Sequence, residues 1–392
     1  MAVETPSAPE ARDDGGEDRM EQMDLLHDRG RLITLGLVLL VLVAAIYVLV
    51  PRILGLDDTL ARLGQANSWW IAVAVGFNLL AFAAYVALFK GVLGGTGDDR
   101  LRRRLDTRAS YQITMAGLAA TRIFSAAGAG GIALTYWALR KAGLERRSSG
   151  SRMVAFLVLM YAVYLAALVV FGILLRTGVL PGSDPVGGTI VPAAVAGVLL
   201  AALGLIALIP GDFERRLKRY ARRHGRPARL AARVATVPAT VADGVRCALQ
   251  YVRHPRRGAL AIGGAVGFWA ANIGILWASF EAFGEDVALA VLVQGFFIGM
   301  AANLVPSPAG GVGAVDAGMI GAFVLFGLPG EQVFPAVLAY RVIAFWLPIP
   351  PGVVAYFQLR ETVHRWEQED DGRGAAPTGG KAPVVATLQK VK

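Results

Sequence analysis

The sequence predicts an all-α integral membrane protein, a polytopic bundle of seven to eight spans with one or two re-entrant hairpins and an internal repeat. Three observations carry this expectation. Hydrophobic residues make up 55% of the 392 residues and charged residues 17%, against roughly 45–50% and ~25% in soluble domains. Several apolar runs reach the ~18–20 residues needed to cross a ~30 Å hydrocarbon layer. Two further apolar regions, 109–139 and 303–328, are interrupted by Gly, Pro and polar residues. Backbone that unwinds at membrane depth is tolerated only where protein or a wet cavity shields it.

Residues 1–31 mix Pro, Gly, acidic residues and Arg with little apolar periodicity and are expected to form a disordered cytosolic tail. The run 32–50 is an apolar stretch of 19 residues with no small-residue cleavage site before Pro51, so it reads as a retained first span. Further spans are expected at 68–93, 152–175, 189–209, 259–283, 287–305 and 332–357, placing the transmembrane domain at 32–357 with a cytosolic tail at 358–392.

Orientation follows from the connections. Segments 94–108, 140–152 and 210–258 hold 23 basic residues, whereas 51–67, 176–188 and 284–286 hold 3. The bias places the first set in the cytosol, and with it both termini. Region 109–139 must then enter and leave on one side, as a hairpin does. The 210–258 connection has 13 basic and 3 acidic residues with apolar positions at helical spacing, which predicts amphipathic helices at a membrane surface. Plain positive-inside topology explains the same charge. The net charge of +10 therefore points to membranes rather than nucleic acid. Arg supplies 33 of the 39 basic residues, consistent with a GC-rich bacterial genome.

One cysteine, Cys247, and four histidines scattered in polar stretches disfavour disulfides and metal motifs. Gly128, Gly130 and Ala133 match a loose dinucleotide pattern, but no strand precedes them. No phosphate loop or nucleophile elbow is present, so neither a cofactor nor a metal is expected, and no catalytic residue.

Ala129–Gly130–Gly131–Ile132 matches Ala309–Gly310–Gly311–Val312 at an offset of 180 residues, and each precedes a short helical stretch and then a long span. Paired interrupted segments are the signature of repeat-built transporters. Glycine permits unusual dihedrals and close ligand approach. Amides after Gly131 or Gly313 would present a helix N-terminus to an anion such as a phosphate headgroup. Tight helix packing is the competing explanation.

Arg122, Asp316 and Arg341 lie in or beside apolar segments, where a charge costs ~2.5–3.5 kcal/mol on insertion scales. Asp316 and Arg341 are expected to face each other, either as a clamp between repeats or as a pair that opens to exchange the carboxylate for a lipid phosphate. Arg122 has no nearby acid in sequence, so its partner is expected to be a bound anion or the distant Glu281, which interfacial exposure explains more simply. Asn272, Gln294 and Asn303 add polar groups near the second hairpin.

The stretches SAAGAGGIALTYWALRKAG (125–143), PSPAGGVGAVD (306–316) and AYRVIAFWLP (339–348) resemble the lysylphosphatidylglycerol synthase transmembrane-region family, the flippase-like half of the bacterial multiple peptide resistance factor. The resemblance covers roughly 32–357. It implies two re-entrant hairpins that translocate a lipid or lipid-linked substrate, and it implicates Gly130, Gly131, Arg140, Pro306, Gly310, Gly311, Gly313, Asp316 and Arg341. Arg122, Gly128, Asn303 and Ser307 complete the candidate substrate-binding set. Where the family often has an acidic residue after the first glycine pair, this chain has Ile132, Ala133 and Leu134. The 35 residues after Phe357 are too few for an aminoacyl-transfer domain, so no enzyme activity is expected.

The function expected is flipping or scrambling of an anionic phospholipid or lipid-linked phosphate across the bacterial cytoplasmic membrane. The alternatives are secondary transport of a small anionic solute, or a membrane anchor whose basic loop recruits a lipid-modifying enzyme. Candidate partners are anionic lipids, a second copy of the chain and that separately encoded enzyme.

Overall fold

The computed structural model describes residues 64–93, 99–123, 129–208, 236–304 and 312–374. The expected tail 1–31 and span 32–50, residues 210–235 of the 210–258 connection, Gly128, Pro306, Ser307, Gly310 and Gly311 lie outside the described residues. Every regular element among them is helical: α1 Ser68–Leu93, α2 Asp99–Arg104, α3 Thr107–Ile123, α4 Ala129–Lys141, α5 Arg146–Arg176, α6 Ile190–Ala207, α7 Thr236–Arg253, α8 Pro255–Ala282, α9 Leu289–Ala301, α10 Ala314–Leu325, α11 Gly330–Arg341 and α12 Ile349–Gly374. A 3₁₀ turn, Ala302–Leu304, follows α9, and a π-helical turn, Val342–Trp346, separates α11 from α12. Among the described residues, five stretches are long and apolar enough to cross a membrane. The protein is thus an all-α polytopic membrane protein.

The most extensive helix packing joins α1 to α8. Small residues allow it: a Cβ on Gly264 would come within 2.4 Å of the Leu88 nitrogen, and one on Gly91 within 2.5 Å of the Ala261 nitrogen. Close backbone approach of this kind replaces the hydrophobic drive that water supplies to soluble bundles. Around this pair sits a core of Phe280, Phe296, Phe297 and Phe323, with Phe280 edge-on to Phe323 at 5.0 Å. Helix α6 leaves Val191, Val195, Val198 and Leu205 exposed along its length, a surface suited to lipid.

Two expected spans differ in form. The run 287–305 contains α9, whose 13 residues reach only about 20 Å, too short for a crossing. Hydropathy does not register helix breaks, and Pro306 offers no N–H to the Ala302 carbonyl. The run 332–357 is two helices joined by the π turn.

These breaks define two helix pairs. Helices α3 and α4 pack together, as do α9 and α10, and each pair leads into a long element, α5 or the α11–α12 segment. The first arm of each pair packs on the long helix following the other pair: α3 on α12, and α9 on α5. Helix α7 is amphipathic as expected, but it buries Ala242, Val245 and Ala248 against the bundle, chiefly α5, rather than only lying on a membrane surface.

Candidate functional site

The site forms where α3 meets the π turn. Pro348 cannot donate to the carbonyl of Ala344 four residues earlier, so the helix cannot continue unbroken there. The turn widens, with the Leu347 N–H donating to the Val342 carbonyl at 2.9 Å. Buried carbonyls left without a helical donor need another partner. Arg122, at the end of α3, supplies it: Nη1 donates to the Phe345 carbonyl and Nη2 to the Ala344 carbonyl, both at 2.9 Å. The expected partner Glu281 is not the acceptor. Backbone oxygens solvate this guanidinium because the turn exposes them, and the chain places no carboxylate against it among the described residues.

Asp316 and Arg341 do meet. Arg341 Nε lies 2.6 Å from Asp316 Oδ1, with the arginine side chain 5% and the aspartate 16% exposed. The other carboxylate oxygen, Oδ2, accepts from the Gly313 N–H at 2.9 Å and so caps α10. Asp316 therefore joins the start of α10 to the end of α11. Both arginines also stack on one ring: the Phe345 centroid is 4.6 Å from Arg341 Cζ and 5.2 Å from Arg122 Cζ. Two guanidinium groups and one carboxylate thus share an apolar interior. Two further donors at this turn, Arg341 Nη2 and Trp346 Nε1, are buried without a hydrogen-bond acceptor among the described residues.

Gly313 has φ +83°, so this position favours glycine for backbone reasons alone. Gly313→Ala is expected to lower stability by about 1–2 kcal/mol, checked by thermal unfolding in nanodiscs.

The other candidates divide. Gly131 is buried, and a Cβ there would lie 2.1 Å from Thr121 Oγ1 and 2.5 Å from the Gly117 carbonyl oxygen. Its small size lets α4 close on α3, so packing accounts for it. Gly130 sits in the first turn of α4. Arg140 lies at the opposite end of that helix, about 14 Å along the axis, where Nη1 donates to the Leu144 carbonyl at 2.6 Å; it closes a C-terminal turn and is not part of the cluster. Asn303 is exposed in the 3₁₀ turn. Gln294 Nε2 bonds the Leu168 carbonyl at 2.9 Å and ties α9 to α5, while Asn272 bonds within its own helix.

Sequence reasoning missed Gly299 and Gly318, where α9 and α10 cross; a Cβ on Gly299 would lie 2.6 Å from Met319 Cα. They stand to the second pair as Gly117 and Gly131 stand to the first. It also missed the role of Pro348, whose signal was the missing N–H. Among the described residues no group of three His, Cys, Asp or Glu is placed to hold a metal.

The model of the lysylphosphatidylglycerol synthase TM region family matches residues 33–352. The chain belongs to that family. The match takes in both helix pairs, Arg122, Asp316, Arg341 and the π turn. Similar proteins include two UPF0104 membrane proteins of Methanothermobacter thermautotrophicus strain Delta H, one 29% identical over 79 residues and the other 32% identical over 87. Those alignments cover 20% and 22% of this chain and 24% and 26% of the relatives, so the chain spans about a quarter of their length.

Proposed function

We propose that the protein translocates an anionic phospholipid or lipid-linked phosphate between the leaflets of a bacterial cytoplasmic membrane, with both termini cytosolic and no covalent step. The observation that carries this reading is the charge balance at the π turn. Among the described residues, Asp316 is the one carboxylate set against Arg122 and Arg341 there. Removing charge from water is costly enough that an apolar interior holding excess positive charge fits an anionic ligand. Arg341 Nη2 and Trp346 Nε1, donors without an acceptor among the described residues, suit an acceptor-rich group such as a phosphate.

The two helix pairs act in this reading as re-entrant hairpins. Their arms, 17, 13, 13 and 12 residues long, are short for full crossings. Their mutual packing on each other's long helices gives two halves that can rock about a central site. The headgroup crosses beside the arginines while the acyl or prenyl chains remain in the bilayer.

Fluorescent phosphatidylglycerol and phosphatidylcholine in vesicles, with headgroup accessibility followed over time, test the reading. The purified protein is expected to move phosphatidylglycerol, and Gly131→Val to return movement to the protein-free rate, because the added side chain pushes α4 off α3. No lipid movement, with gradient-driven uptake of a soluble organic anion instead, would favour the solute-transport alternative.

A further inference from the structure

A second anion site lies away from the arginine cluster. Helix α12 extends through Gly374; it packs on α3 and is joined to α2 by ion pairs from Asp370, at the end of the bundle that the charge bias assigns to the cytosol. Between them is a cleft of ≈ 160 Å³. Asp370 holds Arg100 and Arg104, with Arg104 Nη2 at 2.5 Å from its Oδ1, and Arg104 also donates to the Trp366 carbonyl at 2.9 Å. Glu369 lies 3.6 Å from Arg104, and Asp106 Oδ1 accepts from the Ala109 N–H at 2.7 Å. The cleft's acidic residues are thus engaged with its structural arginine and a helix end.

Three other arginines reach the cleft without an ion pair among the described residues: Arg103, Arg108 and Arg365. Arg365 Nη2 donates to Thr362 Oγ1 at 3.3 Å, and the single Thr362 hydroxyl proton is shared between two acceptors, Gln112 Oε1 at 2.9 Å and the Gln358 carbonyl at 3.0 Å. Gln112 is 1% exposed and lines the cleft, and its amide Nε2 has no hydrogen-bond acceptor among the described residues. A buried donor left unsatisfied is costly. The surplus of guanidinium groups and the orphan amide call for the same thing, an oxyanion.

We propose that this cleft binds a phosphate oxyanion, with Arg103, Arg108 and Arg365 supplying charge and Gln112 Nε2 an oriented donor. The chemistry is shared by a lipid headgroup and a soluble phosphate. Three charge-assisted donors around one neutral donor select for the phosphate group and leave whatever it carries outside. The site requires no translocation and stands apart from the reading of the π turn.

Calorimetric titration of the full chain in non-ionic detergent tests it, using dihexanoylphosphatidylglycerol, dihexanoylphosphatidylcholine and inorganic phosphate as probes. Each is run on the wild type and on Arg122→Gln, so that binding at the π turn is separated from binding at the cleft. In the Arg122→Gln background, adding Arg108→Gln and Arg365→Gln is expected to weaken phosphatidylglycerol about ten-fold or more. Gln112→Leu is expected to weaken it as well, and the exposed arginine changes keep the test independent of any folding defect in that variant. Loss confined to the lipid probe identifies a headgroup; an equal loss for inorganic phosphate identifies a soluble source. Unchanged binding of both probes in folded variants overturns the proposal.

Discussion

Replacing Arg341 by methionine is expected to lower the stability of the folded bundle by about 3–5 kcal/mol, because it leaves Asp316 facing an apolar interior without its cation. The reversal Asp316→Arg should cost at least as much, since it also removes the acceptor for the Gly313 N–H and places a cation at the start of α10. Combining Asp316→Arg with Arg341→Asp restores opposite charges at 316 and 341. Stability should recover only in part, short by roughly 1 kcal/mol for the lost cap. Reversible unfolding in mixed detergent micelles reads all three. A double reversal no more stable than either single one would show that the two side chains do not act as a pair.

Arg122 gives the second large effect, through a different acceptor. Arg122→Met strands the carbonyls of Ala344 and Phe345, at about 1–3 kcal/mol each. Pro348→Ala returns an N–H that can reach the Ala344 carbonyl, so it should offset part of that loss. In a double-mutant cycle the double variant is expected to be destabilised by on the order of 1 kcal/mol less than the sum of the two single variants. Strict additivity would mean that the proline does not create the need that the arginine meets.

How far the fold could be read from residues depended on what hydropathy registers. The run 68–93 is apolar from end to end and became one helix, Ser68–Leu93. The runs 287–305 and 332–357 are as apolar, yet in the first the α-helix ends at Ala301 and passes into a 3₁₀ turn, and the second is interrupted at the π turn, where Pro348 lacks the backbone donor. Asp316 and Arg341 could be paired from sequence since both are charges with few polar alternatives nearby. Arg122 could not, because its partners are carbonyls, and every residue has one. Gly131 was legible as special, with tight packing as one of its two readings; only the position of Thr121 shows that the neighbour it packs against is α3. Gly299 and Gly318 escaped because they fall outside the repeated Ala-Gly-Gly motif.

Headgroup selectivity tests the central claim most directly. In vesicles containing equal amounts of fluorescent phosphatidylglycerol and phosphatidylcholine, the wild type is expected to move the anionic lipid faster. Arg122→Gln keeps side-chain donors for the π-turn carbonyls while removing the surplus charge, and it should abolish that preference. An anionic preference that survives Arg122→Gln in a folded protein would contradict the account.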